Sequence, residues 1–282
     1  MTVEPAVLVL PAFDDLAALP SEATPWNRAY DLDETVHVTG ISASLRYAES
    51  GLAVAPTGVG KTAAATTTTA LLASDRIDLS ETLVLSVGVA GGPPELSIGS
   101  VVIADDIVDW DDKCRLDNAG SDETALALNP YTEGQGVFDL DPSLVEWALS
   151  LGETATLEGT TDDPAADENP AGPAVVTGTN VCGDELWHGK AVAEQVAWLL
   201  EEYETGPYRA TEMEDSGTAT ALRRFGKLDQ YLSIRGISNY DRPDPGVSAR
   251  ESFFDPAFES GFETGIRNAV SVAQTVVDEK IA

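Results

Sequence analysis

Thr82-Leu83-Val84-Leu85-Ser86-Val87-Gly88-Val89-Ala90-Gly91-Gly92 is the stretch on which the fold turns. Its first half is a mostly apolar run of strand length, and its second half is glycine and small residues. A strand that ends this way lets backbone come close to a ligand, because no large side chain stands between them. The plain alternative is an ordinary strand-to-loop turn. Downstream, Gly99–Trp110 is a second long apolar run; upstream, Ala6–Pro11 and Gly51–Pro56 read as strands. Thr35–Ser42 and Ser44–Ala48 could form a hairpin. Gly58-Val59-Gly60-Lys61 opens a helix to about Ser74. Asp141-Pro142-Ser143 is a helix start, with Asp as N-cap and Pro in the first turn. Ala174–Thr179 and Tyr231–Ile237 read as strands; Trp187–Glu202, Glu214–Phe225 and Phe262–Ile281 read as helices. Thr160–Pro173, rich in Asp, Pro, Gly and Ala, reads as an exposed loop. Strands alternating with helices predict an α/β fold with a mostly parallel sheet. There is no internal repeat and no convincing linker, so residues 1–282 are expected to form a single domain.

Charge sets the outer limits. The chain carries 48 acidic and 16 basic side chains, a net charge of −32. The acids are spread along its length. Such a surface repels nucleic acid and anionic lipid. With only five Lys, it suits a salt-rich cytosol, where a Debye length of about 3 Å screens self-repulsion. No run of about 20 apolar residues is present to span a membrane, and the N-terminus has no signal-peptide pattern. Cys114 and Cys182 make no disulfide framework, and His37 and His188 make a metal site unexpected.

Ala55-Pro56-Thr57-Gly58-Val59-Gly60-Lys61-Thr62 nearly matches a phosphate-binding P-loop between a strand and a helix, and Val101–Asp105 imitates the metal-binding strand that accompanies one. Ala55 replaces the first glycine, however, and Pro56 removes a backbone N–H. A tight turn using Gly58 and Gly60 is the simpler reading.

Four segments taken together resemble the nucleoside phosphorylase and nucleosidase superfamily. They are Gly88–Gly92 with Ile98–Asp105, Cys182–Trp187, Glu212-Met213-Glu214, and Ile234–Asn239. Gly183–Gly189, Met213–Thr218 and Ser238–Pro243 narrow the match, which resembles the purine nucleoside permease family over nearly the whole chain. That resemblance implies a three-layer fold, with a central mixed, mostly parallel sheet flanked by helices. It implies a purine nucleoside as small-molecule ligand, no nucleic acid, and no membrane insertion. A homo-oligomer is expected. A chain without a membrane span cannot itself be a channel, so the family name describes a transport phenotype.

The resemblance assigns roles residue by residue. Glu214 would hold the ribose hydroxyls, with Met213 packed under the sugar; a carboxylate accepts two hydroxyls and stabilises positive charge beside them. Glu212 and Glu214 could equally be acids placed at a helix start by its dipole. Gly88, Val89, Ala90 and Gly91 would meet base and sugar through backbone. Leu186, Trp187 and His188 fall at the base pocket, with core packing the alternative for Trp187 and a structural histidine the alternative for His188. Nucleosidases and many phosphorylases donate a proton to purine N7 from an Asp where this chain has Asn239. Asn can offer only hydrogen bonds, so Asp241 is the substitute acid, or else an exposed turn residue before Arg242-Pro243.

The nucleophile is the second gap. A water-activating Glu aligned by the first strand falls at Leu16, just past Asp14 and Asp15. A phosphate-binding Arg ahead of the Gly-rich turn falls within Leu85-Ser86-Val87. Arg28, Arg46 and Arg235 are the remaining cations considered. The sequence favours purine nucleoside cleavage in salvage, with phosphorolysis ahead of hydrolysis, inorganic phosphate as co-substrate and no cofactor. The alternative is a non-catalytic nucleoside-binding protein that supports uptake.

Overall fold

The computed structural model describes residues 2–14, 19–117, 125–132, 134–160, 171–254 and 257–282. Leu16, Asp15 and most of the Thr160–Pro173 stretch lie outside them. Among the described residues twelve strands occur in order: β1 Val7–Leu10, β2 Glu34–Val36, β3 Leu45–Tyr47, β4 Leu52–Val54, β5 Leu83–Gly92, β6 Val101–Asp109, β7 Lys113–Arg115, β8 Leu126–Leu128, β9 Val137–Asp139, β10 Val175–Cys182, β11 Tyr208–Glu212 and β12 Tyr231–Tyr240. The helices are α1 Thr24–Ala29, α2 Lys61–Leu72, α3 Pro142–Gly152, α4 Lys190–Glu202, α5 Asp215–Arg224, α6 Ala249–Phe253 and α7 Ala257–Ile281.

Ten strands make one mixed sheet, in the order β11-β10-β6-β12-β5-β1-β4-β3-β2, with β9 paired to β6. The pairs β1–β4, β1–β5, β5–β12, β6–β10 and β10–β11 are parallel, while β6–β12 and the β2–β3–β4 meander are antiparallel. Leu83, Val84 and Leu85 are all buried on β5, as a central strand covered on both faces requires. Helix α7 lies against β12 and β5. Its backbone comes so close that a Cβ on Gly236 of β12 would sit 2.0 Å from the Gly265 carbonyl oxygen. The N-cap at Asp141 forms as the sequence indicates: its carboxylate accepts from the Leu144 N–H at 2.9 Å.

Three departures from the sequence reading position the site. The glycine run is no loop, because β5 continues through Gly92. Likewise β12 runs on through Asn239 to Tyr240. The two strands pair along this extension, with a register irregularity between Ile237 and Asn239 that sets Asn239 opposite Gly91. An irregularity of this kind re-aims a side chain. Finally, Thr211 of β11 pairs with the same Gly91 from the other side. Small residues let β11 and β12 converge on the end of β5, so hydrogen bonding between strands prevails over the local tendency of glycine to turn.

Candidate functional site

At that convergence lies a cavity of about 400 Å³, within the size range of small-molecule sites. Its polar wall carries Glu22, Glu212, Glu214, Asn239 and Asp241; its apolar wall includes Phe13, Leu19, Trp187, Phe253 and Phe262. Of the residues singled out by sequence, Val89, Ala90, Gly91, Leu186, Trp187, Glu212, Met213, Glu214, Asn239 and Asp241 line it. Gly88, His188 and Arg235 do not.

Arg235 lies behind the polar wall, 1% exposed. It donates to Asp215 and to Ser86 Oγ, and it pairs with Glu212 at 2.8 Å and Glu214 at 3.5 Å. Gly88 leaves room for Glu22 and Arg235 side by side: an added Cβ there would sit 2.5 Å from Glu22 Oε1 and 2.8 Å from Arg235 Nη1. His188 faces Ser252 Oγ at 3.1 Å and packs on Phe253, so it touches the cavity wall from outside.

Glu212 acts as the helix-start acid. Its Oε2 accepts from the Glu214 and Asp215 N–H groups at 2.7 and 3.0 Å, which satisfies two orphan donors of α5. Glu214 is placed otherwise, with Oε1 accepting the Gly60 N–H at 2.9 Å. Burial pushes the carboxyls of Glu212 and Glu214 above the usual range, against the pull of Arg235. Burial acts on Asp215 too, but Arg235 and its hydroxyl partners outweigh it and hold that carboxyl below the usual range. One guanidinium cannot balance this many buried carboxylates, so some keep their protons near neutrality.

Glu22 is the residue that sequence reading missed. It precedes α1, is 2% exposed, and reaches the cavity wall between β1 and β5. Oε2 accepts from Ala12 N–H at 2.8 Å and Oε1 from Val89 N–H at 3.0 Å. Burial raises its pKa, opposed by Arg235 and these two donors. The available signal was Glu22 standing just ahead of Pro25 in the first turn of a helix, six residues beyond the place expected.

On the opposite side, Asn239 Nδ2 donates to the Tyr240 carbonyl at 2.9 Å and Oδ1 accepts from Ser238 Oγ. One amide hydrogen remains for a ligand. Asp241 is 1% exposed, not an exposed turn acid, and Arg242 grips both its oxygens at 2.5 and 2.9 Å. Trp187 serves both roles considered for it, lining the cavity and packing near Trp110. Arg28 is exposed on α1 and Arg46 binds the Leu32 carbonyl. Among the described residues that line the cavity, none is Lys, Arg or His.

A model of the family described as purine nucleoside permease (NUP) matches residues 4–282. The chain belongs to that family. The purine nucleoside permease of Candida albicans is 25% identical to this permease-family chain over 298 aligned positions, covering 92% of this chain and 72% of the relative. No described helix is long and apolar enough to cross a membrane. The fold is that of futalosine hydrolase from Helicobacter pylori, with a TM-score of 0.66, 21% identity and coverage of 99% and 98% of the two chains. It is similarly that of 5′-methylthioadenosine/S-adenosylhomocysteine nucleosidase from Neisseria meningitidis, with a TM-score of 0.64, 19% identity and coverage of 97% and 98%.

Proposed function

We propose that this permease-family chain binds a purine nucleoside and hydrolyses its N-glycosidic bond. The observation that carries this reading is the pairing of Glu22 and Glu214 on one cavity wall whose described residues include no Lys, Arg or His. Glu214 accepts the ribose hydroxyls, and its negative charge favours the ribosyl cation that develops as C1′–N9 breaks. Glu22 takes a proton from a water whose oxygen bonds to C1′. The bond pair leaves with the base, which Asn239 steadies through its remaining N–H. The reaction so written uses no cofactor.

Hydrolysis replaces the preference for phosphorolysis drawn from sequence. A phosphate would enter a cavity walled by carboxylates, with Arg235 already held by three of them, and desolvating it there without a free cation is costly. That both structural relatives are named as a hydrolase and a nucleosidase supports the same choice. Asn239 in place of an acid favours a second reading, a nucleoside-binding protein without catalysis, since Asn gives no proton to N7. Chromatography of inosine, guanosine and adenosine incubations without phosphate separates the two. Release of free base is expected; tight nucleoside binding with no base released would establish the binder.

A further inference from the structure

The near-P-loop has its binding groups occupied by the protein itself. Gly60 N–H donates to Glu214, and Lys61 N–H donates to Asp184 Oδ1 at 2.8 Å. The Lys61 ammonium lies 2.7 Å from both Asp109 and Asp111. Asp111 Oδ2 in turn accepts the Asp184 N–H at 2.8 Å, which closes a ring from Lys61 through Asp111 and Asp184 back to Lys61. At the centre of the turn, Gly60 has φ +93°, and an added Cβ would lie 2.9 Å from Asp184 Oδ1. The Gly60 and Lys61 N–H groups and the Lys61 ammonium, which a P-loop would turn to a phosphate, are thus given to carboxylates of this chain, while the Thr57 and Gly58 N–H groups donate to the Pro11 and Ala12 carbonyls.

We propose that this ring is a clasp that aims the Gly60 N–H at Glu214, and that Lys61 and Asp184 are positioning residues for the ribose carboxylate. The proposal rests on the reading of Glu214 as the group that holds ribose. One oxygen of Glu214 is anchored by Gly60, which leaves the other to face Arg235 and the cavity. A hydrogen bond to the ionised form favours ionisation, so the clasp keeps Glu214 charged at lower pH than burial alone would allow. The groups that face Glu214 are Gly60 on the turn before α2, Arg235 on β12, Asp215 on α5, Glu22 before α1, and Glu212 on β11. Of these, only the Gly60 contact depends on the ring.

The test is the pH profile of inosine cleavage, with inosine binding by calorimetry read over the same range, for wild type, Lys61→Met, Lys61→Arg, Asp184→Ala and Glu214→Gln. Lys61→Met and Asp184→Ala are expected to move the acid limb of inosine binding, which follows Glu214, up by about one pH unit, the scale of one hydrogen bond to a charged group. Their loss is about tenfold on the acid side and vanishes at alkaline pH, where Glu214 is ionised without help. Lys61→Arg restores the wild-type midpoint. A merely structural role would lower activity and binding at every pH, and that result overturns the clasp. So does a wild-type midpoint in both Lys61→Met and Asp184→Ala. Should Glu214→Gln bind and cleave inosine like wild type, the ribose reading itself falls, and the clasp with it. If Glu214→Gln is disabled while the clasp variants are unshifted, the clasp alone falls.

Discussion

Glu22 holds its place through two backbone N–H groups, those of Ala12 and Val89, one from each side of the cavity's end. A glutamine there keeps the shape and one of the two acceptors, turns its NH2 toward the other backbone N–H, and cannot take a proton from water. Glu22→Gln is therefore expected to lower kcat by about 10²–10⁴-fold, the usual worth of a general base, with nucleoside binding within a few-fold. Turnover and calorimetric titration, measured side by side, check this. Because burial raises the Glu22 pKa and the base acts ionised, kcat is expected to rise with pH through a limb above the ordinary glutamate range. Asn239→Asp belongs to the same scale. Adenine N7 needs a full proton that Asn cannot give, so the substitution is expected to shift preference from inosine toward adenosine by roughly 10–100-fold, one hydrogen bond to a charged group; the ratio of kcat/KM values measures it. Sequence made Glu214, Met213 and Asn239 legible because they sit in short segments whose spacing is local. It missed Glu22, because the distance from β1 to that carboxylate is set by a connection with no periodicity to read. It also overrated Arg235, which Ser86 on β5, Glu212 on β11, Glu214 just ahead of α5 and Asp215 on α5 hold behind the cavity wall.

At the level of elements, the site depends on glycines that permit contact between backbones. Helix α5 begins directly after Glu214 and packs on α2, and a Cβ at Gly217 would lie 2.2 Å from the Lys61 carbonyl oxygen. Gly217→Ala is expected to push the two helix starts apart, at a cost of about 1–3 kcal/mol for overpacking. Thermal unfolding gives the stability loss. A drop in inosine affinity beyond that of a distant destabilising variant would show that the displacement reaches Glu214. The strand-helix alternation was legible in apolar runs, since β5, β6 and β12 bury both faces. The ends of β5 and β12 were not, because a glycine run signals a turn locally and becomes strand only when β11 and β12 supply partners.

Across the whole molecule, a net charge of −32 makes stability a matter of salt and pH. Surface repulsion is screened as salt rises, so Tm is expected to climb between about 0.1 and 2 M KCl. The buried acids add a term that salt reaches poorly. Glu22, Glu212 and Glu214 keep their protons to higher pH folded than unfolded. The native state thus binds more protons, and the stability they contribute is lost as pH rises from the unfolded glutamate range through their folded pKa values. In about 2 M KCl, where the Debye length is near 2–3 Å, Tm is still expected to fall between about pH 6 and pH 8. Glu214→Gln should flatten that slope; an unchanged slope would place its origin elsewhere.

The proposed reaction delivers water, not phosphate, to a ribosyl carbon. Inosine incubated with the wild-type protein in phosphate buffer, followed by ³¹P NMR together with chromatography of hypoxanthine, tests it in one sample. Hypoxanthine should accumulate while the only phosphorus signal remains that of inorganic phosphate. A ribose 1-phosphate resonance growing in step with the base, or no base at all, would contradict it.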